Sequence, residues 1–307
     1  MREKVALLKG NIEKRIVGKG DVIDRIVVCL IAGGHALLED VPGVGKTSLA
    51  RALADSLSIS FARIQCTPDT TPSDITGFSM YDSKKNKFTV MEGPVVNSIV
   101  LADELNRTSP KTQAALLEVM DEHKVTIDGK DIKVPEPFMV IGTQNPSDMA
   151  GTYPLPEAQL DRFMIRLSVG YPAEAAAVDM AKSFIEGKLH AETESVLTGK
   201  DIIDMRQEAE KVSIKDELLS YAVKIVEATR SNSEIACGAS PRALLSMLRY
   251  AQALAFVEDR DYCIPEDIAN AASLTLPHRL ILTTQAKMGR MDKELLVKQI
   301  IGKVRVK

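Results

Sequence analysis

The chain has no tryptophan, and aromatic residues make up only 4% of it. Bases stack on aromatic faces, so a surface built to hold single-stranded nucleic acid is disfavoured. Charge of one sign is also scarce. A net charge of −3 over 307 residues argues against a protein whose main work is non-specific binding to a polyanion. The basic end Gly302-Lys303-Val304-Arg305-Val306-Lys307 reads as a solvated tail rather than a binding arm. No apolar run approaches the ~20 residues that cross a bilayer, so membrane insertion is not expected. The start, Met1-Arg2-Glu3-Lys4, is charged and lacks the apolar core of a signal peptide, which makes the cytoplasm the expected location. Cys29, Cys66, Cys237 and Cys263 form no C-x-x-C pair, and the four histidines show no ligand spacing. Buried reduced thiols and no structural zinc are therefore expected.

What remains is a globular composition, with 45% hydrophobic and 26% charged residues, enough for a sizeable core. Residues 21–31 carry two apolar series at i, i+4 spacing and predict a helix that Gly33-Gly34 ends. Short apolar runs then recur at 36–38, 61–64, 99–102, 139–143 and 164–167, each a plausible buried strand. Helical patterns separate several of them, one opened by Ser109-Pro110 as cap and first-turn proline. Strands alternating with helices predict a parallel sheet. Two hairpins interrupt the alternation, one near 78–92 and one at 125–134. In the second, Asp128-Gly129 is a strong turn that pairs Val125 with Ile132. After Tyr171-Pro172 no convincing strand follows. Helices at 215–229, at 241–256 and after Pro265 predict a helical second domain.

Residues 42–48 read P-G-V-G-K-T-S between an apolar strand and an amphipathic helix. Gly43 and Gly45 let the backbone turn its N–H groups toward an anion, and the positive end of the next helix faces the same point. Lys46 suits the β- and γ-phosphates of a nucleotide, and the Thr47 hydroxyl suits magnesium. Asp40 stands where the full phosphate-loop pattern has its first glycine. The run Ile99–Glu104 is an apolar strand ending in two acids. Asp103 is placed to hold magnesium, and Glu104 to polarise an attacking water. Asn145 closes another strand, where ligands bind in open α/β sheets. Its alternative role is a turn former before Pro146. Arg162 precedes the last strand, where it can serve phosphoryl transfer or bridge to a surface acid. Arg242 follows the cap Ser240 in the first turn of a helix, against that helix's dipole, so an anion is expected near it.

Taken together these segments resemble the MoxR family of AAA+ ATPases over most of the chain. The resemblance rests on residues 37–47, Gln65–Asp69 with Pro72–Gly77, Asp103–Arg107, Gln113–Glu118, Gly142–Pro146 and Leu155–Phe163. It implies an αβα P-loop domain over residues 1–172 and a smaller all-helical lid over 173–307, with ATP between them. Gly43, Val44, Gly45, Lys46, Thr47 and Ser48 would be the Walker A loop, and Asp103 with Glu104 Walker B. Asn145 would be sensor 1, Arg162 the arginine finger reaching a neighbour's ATP, and Arg242 sensor 2. Val17 would lie against adenine. The cofactors implied are ATP and Mg²⁺. The partners implied are further copies in a hexameric ring and client proteins, including ones with von Willebrand factor type A domains. Both hairpins would face the ring's central region. The competing readings are a nucleotide-gated scaffold with negligible turnover and a nucleic-acid motor. A GTPase is weaker, because Thr143-Gln144-Asn145-Pro146 is not an N-K-x-D guanine reader.

Overall fold

The structure is a computed structural model that describes residues 2–41, 43–84, 86–145, 152–186 and 194–306. Two helices open the chain, α1 (Arg2–Glu13) and α2 (Gly20–Ile31). Strand β1 (Ala36–Glu39) leads through the glycine loop into α3 (Lys46–Ser56), and β2 (Phe61–Gln65) follows. Helix α4 (Pro72–Thr76) precedes a ribbon of β3 (Gly77–Asp82) and β4 (Lys87–Glu92). Then come β5 (Ile99–Asp103), α5 (Pro110–Glu122), a second ribbon of β6 (Lys124–Ile127) and β7 (Lys130–Lys133), β8 (Met139–Gln144), α6 (Glu157–Leu160) and β9 (Ile165–Leu167). The remainder is α7 (Glu174–Ile185), α8 (Gly199–Ala209), α9 (Asp216–Arg230), β10 (Ile235–Cys237), α10 (Pro241–Val257), α11 (Pro265–Thr275), β11 (Ile281–Leu282), α12 (Thr284–Met288) and α13 (Lys293–Lys303).

Five strands form one parallel sheet in the order β2-β5-β8-β1-β9. The apolar runs of the inner strands β5, β8 and β1 are unbroken because both faces are covered, while the edge strands β2 and β9 each carry an arginine. Alternate residues serve opposite cores. Leu38, Leu101, Ile141 and Ile165 join the cluster that contains α2, α3 and the helical part. Leu37, Val100, Ala102 and Val140 join a second cluster with Leu116, Leu117, Phe138 and Phe163 on the α5 side. The first cluster is continuous from Val5 to Ile300, so sheet and helical part share one core, with α2 packed on both α8 and α10.

Each expected sheet strand is present, with ends shifted by a residue or so. The second ribbon has the expected register, Val125 opposite Ile132. Its turn carries positive φ at both Asp128 (48°) and Gly129 (76°), the conformation that a two-residue hairpin requires. The first ribbon pairs Gly77 with Glu92 through to Asp82 with Lys87. One feature of the helical part departs from the sequence expectation: β10 and β11 form a short antiparallel ribbon there. Strands of three and two residues are too short to show an alternating pattern. Cys29, Cys66 and Cys263 are buried and Cys237 is exposed. Burial pushes the Cys66 and Cys263 thiols up to about 12, which leaves them protonated and unreactive.

Candidate functional site

The glycine loop sits at the carboxyl end of β1 and turns with positive φ at Gly43 (84°) and Gly45 (89°). Among the described residues, and apart from each glycine's chain neighbours, nothing lies within 4 Å of where a Cβ would stand on either one, so their use is conformational. Pro42 lies outside the described residues. Gly45 caps α3 without a side-chain bond, so the first amides of that helix stay available to an anion. Lys46 is buried and donates from Nζ to the Asp40 carbonyl at 2.9 Å. Burial lowers its pKa, and Asp103, Asp40 and Glu104 oppose that.

Asp40 explains its own departure from the glycine pattern. Its carboxylate accepts hydrogen bonds from the Ser168 hydroxyl at 2.9 Å, from the Gly170 amide and from the Val41 amide at 2.9 Å. It thereby ties the start of the loop to the exit of β9. Burial raises its pKa, but these bonds outweigh that and hold the carboxyl below its ordinary value. The sign for stability follows. Asp40 stabilises the fold fully above the unfolded value near 3.9 and loses that contribution as pH falls through the lower folded value. Asp40→Ala should therefore cost about 1.5–3 kcal/mol near neutrality, the worth of bonds to a charged group. The difference from the parent should shrink toward strongly acid pH. Urea melts of both proteins at neutral and acid pH check this, and an equal gap at both would count against it.

Asp103 and Glu104 end β5 next to β8. The Thr143 hydroxyl on β8 donates to Asp103 Oδ1 at 2.7 Å and accepts the Glu104 amide at 2.8 Å, fixing both acids at once. Glu104 is left-handed, with φ 58°, a conformation a glutamate adopts only when its surroundings hold it there. Gln65 donates to Glu104 Oε2 at 3.2 Å, and Arg107 Nε lies 3.3 Å from the same oxygen. Arg63 on β2 bonds Asp103 Oδ2 at 2.6 Å and Gln65 Oε1 at 2.5 Å. Asn145 is buried at the end of β8.

The glycine loop, the paired acids, Arg63, Gln65 and Asn145 meet in one cleft of about 390 Å³, lined by Gly43, Gly45, Lys46, Thr47, Ser48, Arg63, Gln65, Asp103, Glu104 and Asn145. Among the described residues, none that lines the cleft comes from the helical part. The donor set suits a nucleoside triphosphate with magnesium: backbone amides and Lys46 for phosphate, and the hard oxygens of Thr47 and Asp103 for the cation. Val44 packs against the core below the loop. Val17 is 36% exposed in the turn between α1 and α2 and is not among the lining residues. Beside it, the Lys19 ammonium donates to the carbonyls of Val169, Gly170 and Tyr171.

Arg162 and Arg242 are brought together, but elsewhere. Arg162 Nε lies 2.9 Å from Asp121 Oδ2, and Arg242 binds both oxygens of the same carboxylate. Asp121 is the anion that the placement of Arg242 called for. The phosphate loop and the paired acids stand at the carboxyl edge of the sheet. α5 runs from that edge toward the amino edge, and its thirteen residues span roughly 20 Å. Asp121 lies in its last turn, and Arg162 just before β9. Sequence reasoning missed Arg63, Gln65, Thr143 and Asp121. A strand running R-x-Q toward the two acids was the one signal available for the first pair. Thr143 and Asp121 act through tertiary neighbours and carry no local signature.

The profile of the ATPase family associated with various cellular activities (AAA) matches residues 35–165, and that of the AAA lid domain matches residues 227–300. The chain is 46% identical over 298 residues to the uncharacterized protein YeaC of Bacillus subtilis, covering 96% of this chain and 92% of that one. It is 38% identical over 303 residues to the chaperone MoxR1 of Mycobacterium tuberculosis, covering 96% and 80%. Protein MoxR of Methylorubrum extorquens is 28% identical over 313 residues, covering 94% and 91%. A crystal structure from Cytophaga hutchinsonii, 37% identical, superposes with a TM-score of 0.94 over 100% of this chain and 96% of that one. Relatives matched over more than nine-tenths of the chain thus carry the MoxR name, both the ATPase and the lid profiles match, and this protein belongs to the MoxR family of AAA+ ATPases.

Proposed function

We propose that the chain hydrolyses ATP to ADP and phosphate and, as a ring, uses the turnover to remodel partner proteins. The observation that carries this reading is the convergence of Lys46, Asp103, Glu104 and Asn145 on one cleft behind the glycine loop. The loop amides and Lys46 hold the β- and γ-phosphates. Asn145 contacts the γ-phosphate and orients the water. Glu104 polarises that water and takes its proton as oxygen attacks the γ-phosphorus in line. The bond from that phosphorus to the bridging oxygen breaks, and ADP leaves. Magnesium, held by Thr47 and Asp103, supplies neutralising charge on the phosphates when bound. Val17 faces the adenine.

Arg162 and Arg242 stand near the opposite edge of the sheet from the loop, a helix length away, so both serve the nucleotide of an adjoining copy. That requirement supports a closed ring, which we take to be a hexamer. The two ribbons belong to the α/β part, with Val125 and Ile127 of the second packed into its core, and we place both at the ring's central region. The β3–β4 ribbon carries exposed Phe78, Met80, Tyr81 and Phe88, apolar side chains free to meet a client. Clients with von Willebrand factor type A domains are the expected class, and chaperone-type work agrees with the name of the relative MoxR1.

Phosphate release from Mg-ATP tests the reading. Turnover that DNA does not stimulate is the expected result. No release at concentrations where rings are demonstrated would leave the nucleotide-gated scaffold, and strong stimulation by DNA would favour a nucleic-acid motor.

A further inference from the structure

Asp121 carries its charge at the negative end of α5, and Arg242 carries its charge at the positive end of α10. Each is on the disfavoured end of its own helix, and each relieves the other. Arg242 Nη2 donates to Asp121 Oδ1, and Nη1 donates to Oδ2 at 3.4 Å. Oδ2 also lies 2.9 Å from Arg162 Nε, an ion pair without hydrogen-bond alignment. One carboxylate therefore joins guanidinium groups from two distant parts of the chain. Asp121 is 22% exposed, while Arg162 and Arg242 keep 30% and 49% of their side chains in solvent. Two arginines this close repel each other unless an acid lies between them.

The backbone beneath is fixed separately. Buried Arg279 donates to the carbonyls of Asp161 and Phe163, on either side of Arg162. Its Nε lies 3.1 Å from Asp161 Oδ1, and Ser240, the cap of α10, donates to Asp161 Oδ2 at 3.1 Å. Arg279 and Asp161 thus set where the two arginines start, and Asp121 sets where their side chains end.

We propose that Asp121 is a positioning residue, holding Arg162 and Arg242 side by side as a two-guanidinium clamp presented to the triphosphate of an adjoining copy of this chain. The proposal rests on the trans reading above. It adds that the pair works as one unit and that its geometry comes from an acid which never touches the nucleotide. Each guanidinium has more donors than Asp121 uses, and their solvent-facing edges remain for phosphate oxygens.

Asp121→Asn keeps the shape and removes the charge. Its kcat should fall about 10- to 100-fold, the usual cost of a misplaced group, while ATP affinity in its own cleft and the melting temperature stay near the parent's. Asp121→Glu keeps the charge and should recover part of the loss. In mixed rings, Glu104→Gln subunits have an intact Asp121 and should restore turnover at neighbouring Asp121→Asn clefts. A parent-like kcat in Asp121→Asn overturns the proposal. So does a loss that mixing and Asp121→Glu both fail to relieve, with a lowered melting temperature, since that is an ordinary structural bridge. If Arg162→Ala itself keeps full activity, the trans reading falls first. If Arg162→Ala is inactive while Asp121→Asn is parent-like, only the role of Asp121 falls.

Discussion

Lys46→Ala should lose ATP binding, and Glu104→Gln should keep binding while losing turnover. Among the described residues lining the cleft, Lys46 is the lysine, and its partly buried ammonium is less hydrated than a surface one. Removing one partner of a buried charge pair typically costs about 2–5 kcal/mol, so ATP affinity should fall by well over tenfold. Glu104 stands differently. It shares the cleft, but Gln65 and the Thr143 hydroxyl hold its side chain and its amide at the strand end. Glutamine fits that space and those bonds but accepts no proton. Turnover should drop about 10²- to 10⁴-fold, the usual worth of a general base, with ATP retained. Titration with a fluorescent ATP analogue, beside phosphate release, separates the two variants. If both bind ATP and hydrolyse it like the parent, the site is misassigned. The Glu104→Gln protein should also hold its client together with ATP, which makes it the bait for finding that client.

Arg162→Ala should abolish hydrolysis and spare ATP binding, because its guanidinium lies a helix length from its own phosphate loop. An arginine finger contributes about 10³–10⁵ in rate, and only where an interface is formed. Specific activity of the parent should accordingly climb with protein concentration as rings assemble. Mixing gives the sharper answer. Arg162→Ala subunits keep Glu104, and Glu104→Gln subunits keep Arg162. Activity should return where a Glu104→Gln subunit offers its arginine to an Arg162→Ala neighbour. No recovery in rings shown to contain both would speak against action in trans. Full activity in a demonstrated monomer would end the idea.

The sheet was legible because its inner strands are short apolar runs buried on both faces, and because Gly, Pro and Ser mark the strand ends. The glycine loop, the paired acids and Asn145 were legible for a related reason: each directly follows such a strand, so its place in the chain fixes its place in the cleft. Arg63, Gln65, Thr143 and Asp121 were not. Their roles arise from strand order and from helix ends that meet only in three dimensions. Arg242 lies between. Its position against the helix dipole announced an anion nearby, but which one, and that Arg162 shares it, required the fold. The β10–β11 ribbon escaped notice because so few residues carry no period.

The core that runs unbroken from Val5 to Ile300 bears on how the molecule comes apart. A protein whose two parts bury their apolar faces against each other through α2 has no weak seam at which to melt first. Heating should give a single heat-absorption peak. A fragment ending at residue 172 would leave the α2 side chains that meet α8 and α10 facing water, and it would clump rather than fold. In such a molecule a tug on the helical part is felt by the sheet at once.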